Sequence, residues 1–150
     1  MTIFNVDRYK ITALVLTFFL SVYSFDGHAE TGNADVVHVK AEDHGDRGWM
    51  FHVTVNHPDT GWDDYCNGWD VVTDSGQVLK HNQFDPFTRL LLHPHENEQP
   101  FTRSQSRLKI PDSVQSVTVR AHDLVHGFGG KEIQIDLESD KGENYEISRH

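Results

Sequence analysis

The chain has 150 residues, with 23 acidic and 13 basic side chains and a formal net charge of −10 at pH 7. A negative field repels phosphate backbones and anionic lipid surfaces, so the composition argues against nucleic acid as a partner and favours cations.

The first 29 residues have the pattern of a cleavable secretory signal peptide. Arg8 and Lys10 precede an apolar run over 11–25, which is shorter than the about 20 residues that a membrane-spanning helix needs. Gly27 and Ala29 supply the small side chains that a signal peptidase requires, so we expect the mature chain to begin at Glu30. The pattern predicts a periplasmic or secreted protein that is not inserted in the membrane after cleavage. A retained membrane anchor is the alternative.

Cys66 is the single cysteine of the chain. No disulfide can therefore form within it, although exported domains of this size often use them. We expect the thiol to be buried, bound to a metal or paired between chains, and burial is the simplest of these.

The remaining chain shows the period-two alternation of β-strands and no helical period. The predicted strands are 36–39, 49–56, 69–72, a broken edge strand over 77–92, 106–110, 117–122 and 131–137. About seven strands with turns at this spacing predict an all-β fold, an antiparallel β-sandwich of the immunoglobulin or fibronectin III type. The sandwich domain is expected over 30–138, followed by a polar flexible tail over 139–150.

Successive strands of such a sandwich reverse direction, so alternate connections share an end. The connections 57–68, 93–105 and 123–130 should therefore lie at one pole. Five of the eleven histidines of the chain fall in or next to these connections, namely His57, His93, His95, His122 and His126.

Imidazole nitrogen together with carboxylate oxygen suits Cu(II) or Zn(II). In the segment 93–95 the His-x-His spacing places two rings on one side of an extended chain. We predict a metal site formed by His93, His95, His122 and His126, assisted by His57 and Asp63. For His57 and His122, a structural imidazole held by hydrogen bonds is the alternative.

The other histidines of the expected mature chain receive no role. Their positions predict solvated side chains on strand faces for His38 and His52, and turns, edges or the tail for His44, His81 and His150.

Three segments carry a resemblance to known proteins: TGWDDYCNGW at 60–69, LLHPHENEQPFTRS at 91–104 and VRAHDLVHGFGGK at 119–131. With these segments the chain resembles a group of small, uncharacterised exported bacterial proteins, a resemblance that implies no particular activity. More loosely, it is similar in size, compartment and histidine use to periplasmic copper carriers of the CopC type. It departs from them at Glu30, because the expected mature terminus has no histidine for an amino-terminal copper site.

The sequence thus predicts a non-catalytic module for metal delivery or sequestration, whose partners are a metal ion and an unidentified exported protein. One alternative is an interaction module that binds a protein or glycan through Trp62, Tyr65 and Phe101. A metal-dependent hydrolase with Asp123 or Glu98 as the base is the third hypothesis, but the sequence contains no HExxH motif and no nucleophile elbow.

Overall fold

The computed structural model describes residues 32–150, so the predicted signal peptide over 1–29 lies outside the described residues. The regular structure of the described part is β-strand, with one turn of 3-10 helix at Gly45–Arg47. None of the helical structure found in these residues is long and apolar enough to cross a membrane.

The strands of the described residues form two sheets. Their bounds are β1 Asp35–Asp43, β2 Trp49–Asn56, β3 Cys66–Thr73, β4 Arg89–Leu90, β5 Phe101–Leu108, β6 Ser116–Asp123, β7 Gly127–Phe128, β8 Ile133–Asp136, β9 Lys141–Gly142 and β10 Tyr145–Arg149. The first sheet has the order β5-β2-β1-β10-β9. The second has the order β4-β3-β6-β7, and β8 also pairs with β6.

The division of strands between the sheets confirms the predicted β-sandwich. β1, β2 and β5 share one sheet and β3, β6 and β8 share the other, as do the A, B, E and C, F, G strands of immunoglobulin-like domains. The strands β2, β6, β8 and β10 turn alternate side chains inward, as in β6, where Val117, Val119 and Ala121 are buried and the residues between them are not. Phe51 and Trp69, on opposite sheets, are among the largest side chains that are fully buried.

The predicted edge strand over 77–92 is mostly irregular. Only Arg89–Leu90 form a strand, which pairs with β3 at the edge of the second sheet. An isolated bridge between Val78 and Val72 and a buried side chain attach the rest: the Thr88 hydroxyl donates to the Leu79 carbonyl (2.6 Å) and accepts from the Val71 N–H (2.8 Å). The segment contains Pro86, which has no N–H to give to a ladder, so strand pairing is interrupted and the buried hydroxyl reinforces it.

The fifth strand begins earlier than the predicted range of 106–110. β5 runs from Phe101 to Leu108, and only these two terminal side chains are buried. Its polar middle resembles a loop in sequence. Pairing with β2, from Val55 opposite Phe101 to Trp49 opposite Leu108, holds it as an edge strand.

The prediction of a polar flexible tail over 139–150 is wrong. β10 pairs in parallel with β1, with Tyr145 opposite Val39 and Arg149 opposite Asp43. Tyr145 and Ile147 are buried in the core. Their period-two alternation is too short to stand out in a polar segment, yet it is enough to bury one face of a strand that a neighbour supplies with hydrogen bonds.

We expect Ile147→Ala to lower the free energy of unfolding by about 2–5 kcal/mol, because it removes buried methylene groups and leaves a cavity. Denaturant unfolding measures this, with Glu146→Ala on the exposed face of the same strand as the control. Equal small effects of both substitutions would contradict the docking of β10.

Candidate metal centre

Three connections meet at one pole of the sandwich, as the alternation of strand directions predicts. The backbone N–H of His95, between β4 and β5, donates to the Asp59 carboxylate between β2 and β3 (2.7 Å). The backbone N–H of Leu124, just after β6, donates to the Tyr65 carbonyl (3.2 Å). The loops are therefore joined by hydrogen bonds and do not merely share an end.

Asp59 is the centre of this pole, and its side chain is fully buried. Besides the bond from His95 to Oδ2, Oδ1 accepts from the Nδ1 of His57 (2.6 Å) and from the backbone N–H of Cys66 (3.0 Å). Three donors from separate segments compensate for the loss of water around this carboxylate.

His57 follows β2 directly, and its ring is fully buried. The backbone N–H of His57 donates to the Gln99 Oε1 atom (3.0 Å), which fixes the residue against the connection to β5. With Nδ1 bonded to Asp59, the other ring nitrogen, Nε2, lies 2.8 Å from the Gly32 carbonyl oxygen. The ring is therefore held on both sides.

His57, Asp64 and Asp123 form a possible metal-binding cluster. Each offers one ligand atom, and these atoms lie within 4.8 Å of one another; the Nε2 of His57 and the Oδ1 of Asp64 are 3.7 Å apart. Asp64 Oδ1 and Asp123 Oδ2 are both buried and have no hydrogen-bond partner. A buried carboxylate oxygen without a donor is unfavourable, and a cation placed between the two would remove that cost.

The loop after β6 holds Asp123 in place. Its Oδ1 accepts from the backbone N–H groups of Val125 (2.9 Å) and His126 (2.6 Å), and the His126 ring nitrogen Nδ1 lies 3.1 Å from it. His126, a predicted ligand, thus supports Asp123 and is not part of the cluster. The side chain of Asp123 is fully buried.

His93 and His95 stay together as predicted, with ring centroids 4.5 Å apart, but they lie outside the cluster. His93 is exposed and its Nδ1 donates to the Pro94 carbonyl (2.9 Å). His95 is buried and stacks on Phe101 at 3.9 Å, and neither of its ring nitrogens has a partner. No third ligand accompanies this pair in the clusters found among residues 32–150.

His122 lies on the opposite face of β6 from Asp123. Residues of β6 alternate between the core and the outside, so neighbours in sequence point in opposite directions. The His122 ring contacts Phe87 and Phe128, and its Nδ1 donates to the Asn67 Oδ1 atom (2.6 Å). His122 therefore matches the structural alternative, an imidazole oriented by a hydrogen bond.

The carboxylate that belongs to the cluster is that of Asp64 and not that of Asp63, which is exposed. The sequence offers both carboxylates side by side, and its spacing cannot choose between them. The choice follows from a tight turn in which Gly61 and Asp64 form an isolated bridge and the Thr60 N–H donates to the Asp64 carbonyl (2.9 Å).

Cys66 is buried, the simplest of the three expectations. Desolvation raises the pKa of its thiol to about 12, so the group stays protonated at neutral pH.

We expect Asp59→Asn to destabilise the protein by about 2–3 kcal/mol. Both carboxylate oxygens accept from backbone N–H groups, so in either orientation the new amide NH₂ faces a donor. Denaturant unfolding tests this against Asp63→Asn, the same change at an exposed position. A loss no greater than that of the control would show that the network contributes little.

The stability of the folded protein should depend on pH through His95. Burial, followed by the nearby Arg103 and His93 side chains, lowers the pKa of His95 below its ordinary 6.5. The unfolded chain then binds this proton more readily than the folded chain. The contribution of neutral His95 to the free energy of unfolding is therefore fully present above about pH 6.5 and is lost as the pH falls.

We therefore expect the loss of unfolding free energy between pH 7.5 and 5.5 to be smaller in His95→Phe, which keeps the stacked ring, than in the wild type. His81→Gln, at an exposed position, should leave the loss unchanged. An equal pH dependence in His95→Phe and wild type would contradict the role of His95.

Comparison with known proteins identifies one relative. The chain is 39% identical over 106 residues to a protein of Halomicrobium mukohataei named "Putative lipoprotein", and the match covers 71% of this chain and 48% of that protein. The chain thus spans about half the length of this relative. No family model and no solved structure matches the chain, so the similarity to copper carriers stays a prediction.

Proposed function

We propose that this protein is an exported module that binds a divalent transition-metal ion, Zn(II) or Cu(II), through His57, Asp64 and Asp123, for delivery or sequestration. The observation that carries the proposal is the pair of buried carboxylate oxygens, one on Asp64 and one on Asp123, that have no hydrogen-bond donor beside an imidazole nitrogen.

The contact between Asp59 and His57 supports this assignment. A histidine that binds a metal through one nitrogen usually donates its other N–H to a carboxylate, which fixes the tautomer and the ring orientation. Asp59 accepts from Nδ1 of His57 at 2.6 Å, so Nε2 is the nitrogen directed toward Asp64. An ion bound at Nε2 would replace its 2.8 Å contact with the Gly32 carbonyl oxygen.

The donor set favours certain ions. One imidazole with two carboxylates is typical of borderline cations such as Zn(II) and Cu(II), whereas Ca(II) prefers six to eight oxygen ligands. Charge agrees with this choice, because the two carboxylates of the cluster, Asp64 and Asp123, outnumber its single histidine.

Two observations support export of the protein. The N-terminal pattern is that of a signal peptide, and the relative from Halomicrobium mukohataei bears the name of a lipoprotein, a class of protein attached to the cell envelope. An exported protein meets metal ions without the buffering of the cytoplasm. We infer a place outside the cytoplasm, in the periplasm or beyond.

A second candidate function, binding of a protein or glycan, has one observation in its favour. Trp62 is 68% exposed beside the same pole and rests edge-on against Tyr65 at 5.9 Å. Phe101 belongs to the core and stacks on His95, so it is not available to such a surface.

Asp64→Asn tests the proposed ligand set, with Asp63→Asn as a control that makes the same change of charge one residue away. By isothermal titration of the chelator-treated protein with Zn(II), we expect Asp64→Asn to weaken binding at this site at least tenfold, because an amide oxygen replaces a charged ligand. Asp63→Asn should bind as the wild type does.

The affinity of the wild type should also fall on acidification, since protons compete with the metal ion for imidazole and carboxylate ligands in general. Equal affinity of the two variants, or no Zn(II) and no Cu(II) uptake by the wild type, would refute the proposed site.

A further inference from the structure

The parallel pairing of β1 and β10 brings two histidines together at the other end of the sandwich. Val39 lies opposite Tyr145 and Asp43 opposite Arg149, so the same register places His44 beside His150. The His150 N–H continues the pairing by donating to the Asp43 carbonyl (2.9 Å). The two imidazole rings are stacked, with centroids 4.8 Å apart and planes at 11°.

Glu42 completes the group from the same face of β1. Its Oε2 atom accepts from the His44 Nε2 at 3.2 Å, and Glu42, His44 and His150 each offer one ligand atom within 4.8 Å of the others. The Lys40 ammonium donates to the other oxygen, Oε1, at 2.8 Å. This contact lowers the pKa of the Glu42 carboxyl to about 2, so the group is a carboxylate throughout the neutral range.

A third imidazole borders the group from the neighbouring strand. In the register of β1 and β2, His52 lies opposite Lys40, and its Nε2 is 3.7 Å from Oε1 of Glu42. That nitrogen is buried without a hydrogen-bond partner. The Nδ1 of His52 is 2.6 Å from the Ser104 hydroxyl, which orients the ring as a carboxylate or carbonyl orients a metal-bound histidine.

From this geometry we propose a second, independent site for Zn(II), formed by Glu42, His44 and His150 with His52 at its border. Ligands about 2 Å from one ion lie about 3–4 Å apart, so the ligand atoms must move closer together. His150 is exposed, which leaves its side chain free to rotate. Two imidazoles and one carboxylate match the ligand set of known zinc sites.

The positive groups around this site predict how its affinity can be changed. Lys40 occupies one oxygen of Glu42 and leaves the other for the ion. Arg47 Nη2 lies 3.4 Å from the Nδ1 of His44, where its charge opposes a bound cation. Arg47→Gln should therefore bind Zn(II) about three- to tenfold more tightly at this site.

The experiment measures Zn(II) stoichiometry by isothermal titration of the full chain after chelator treatment. We expect two ions per wild-type chain, and one ion for the double variant His44→Gln, His150→Gln. The control double variant His38→Gln, His81→Gln removes two exposed histidines that lie outside the site and should retain two ions. The variants alter only side chains at the surface, so folding should be preserved, which circular dichroism verifies.

The two sites can fail separately. Asp64→Asn should lose the ion at the loop pole and keep the one at His44, so the triple variant with His44→Gln and His150→Gln should bind none. If the His44, His150 double variant binds as many ions as its control, the second site is refuted whatever happens at Asp64. An affinity that is unchanged or weaker in Arg47→Gln would also contradict an ion at His44.

Discussion

The buried carboxylate of Asp59 is the group on which the geometry of the loop pole depends. It accepts hydrogen bonds from the His57 ring and from the backbone N–H groups of Cys66 and His95, and so joins two of the converging connections. A buried charge is tolerated only where such donors replace water. These bonds bring the loops together and place the His57 ring beside two further carboxylates, those of Asp64 and Asp123.

Both proposed cation sites lie where strands end, and each depends on a different kind of support. At the loop pole His57 and Asp123 are fully buried and Asp64 is half-buried, and Asp59 and the turn after β6 hold the two buried side chains. At the opposite end the ligands His44 and His150 are set by the register of two strands, and the ion would lie near the surface. The acidic balance of the chain, −10 at pH 7, raises the local concentration of cations at both.

The candidate site was predictable from sequence only down to the level of the loop. Alternating strand directions correctly placed three connections at one pole and included His57. The direction of a strand does not fix the direction in which each side chain points. His122 and Asp123 are neighbours on β6, yet only Asp123 faces the cluster. The same limit separates Asp64 from Asp63, because a turn and not a spacing decides which carboxylate is buried.

Sequence by itself determined the class of fold, since period-two alternation of apolar residues can bury a core only as paired sheets. It also determined that Cys66 has no partner within the chain. Tertiary structure decided the rest. The end of the chain is polar, and pairing with the free backbone groups of β1 makes a strand of it and brings His150 to His44. Hydrogen bonds between distant segments set such contacts, and no local pattern of residues encodes them.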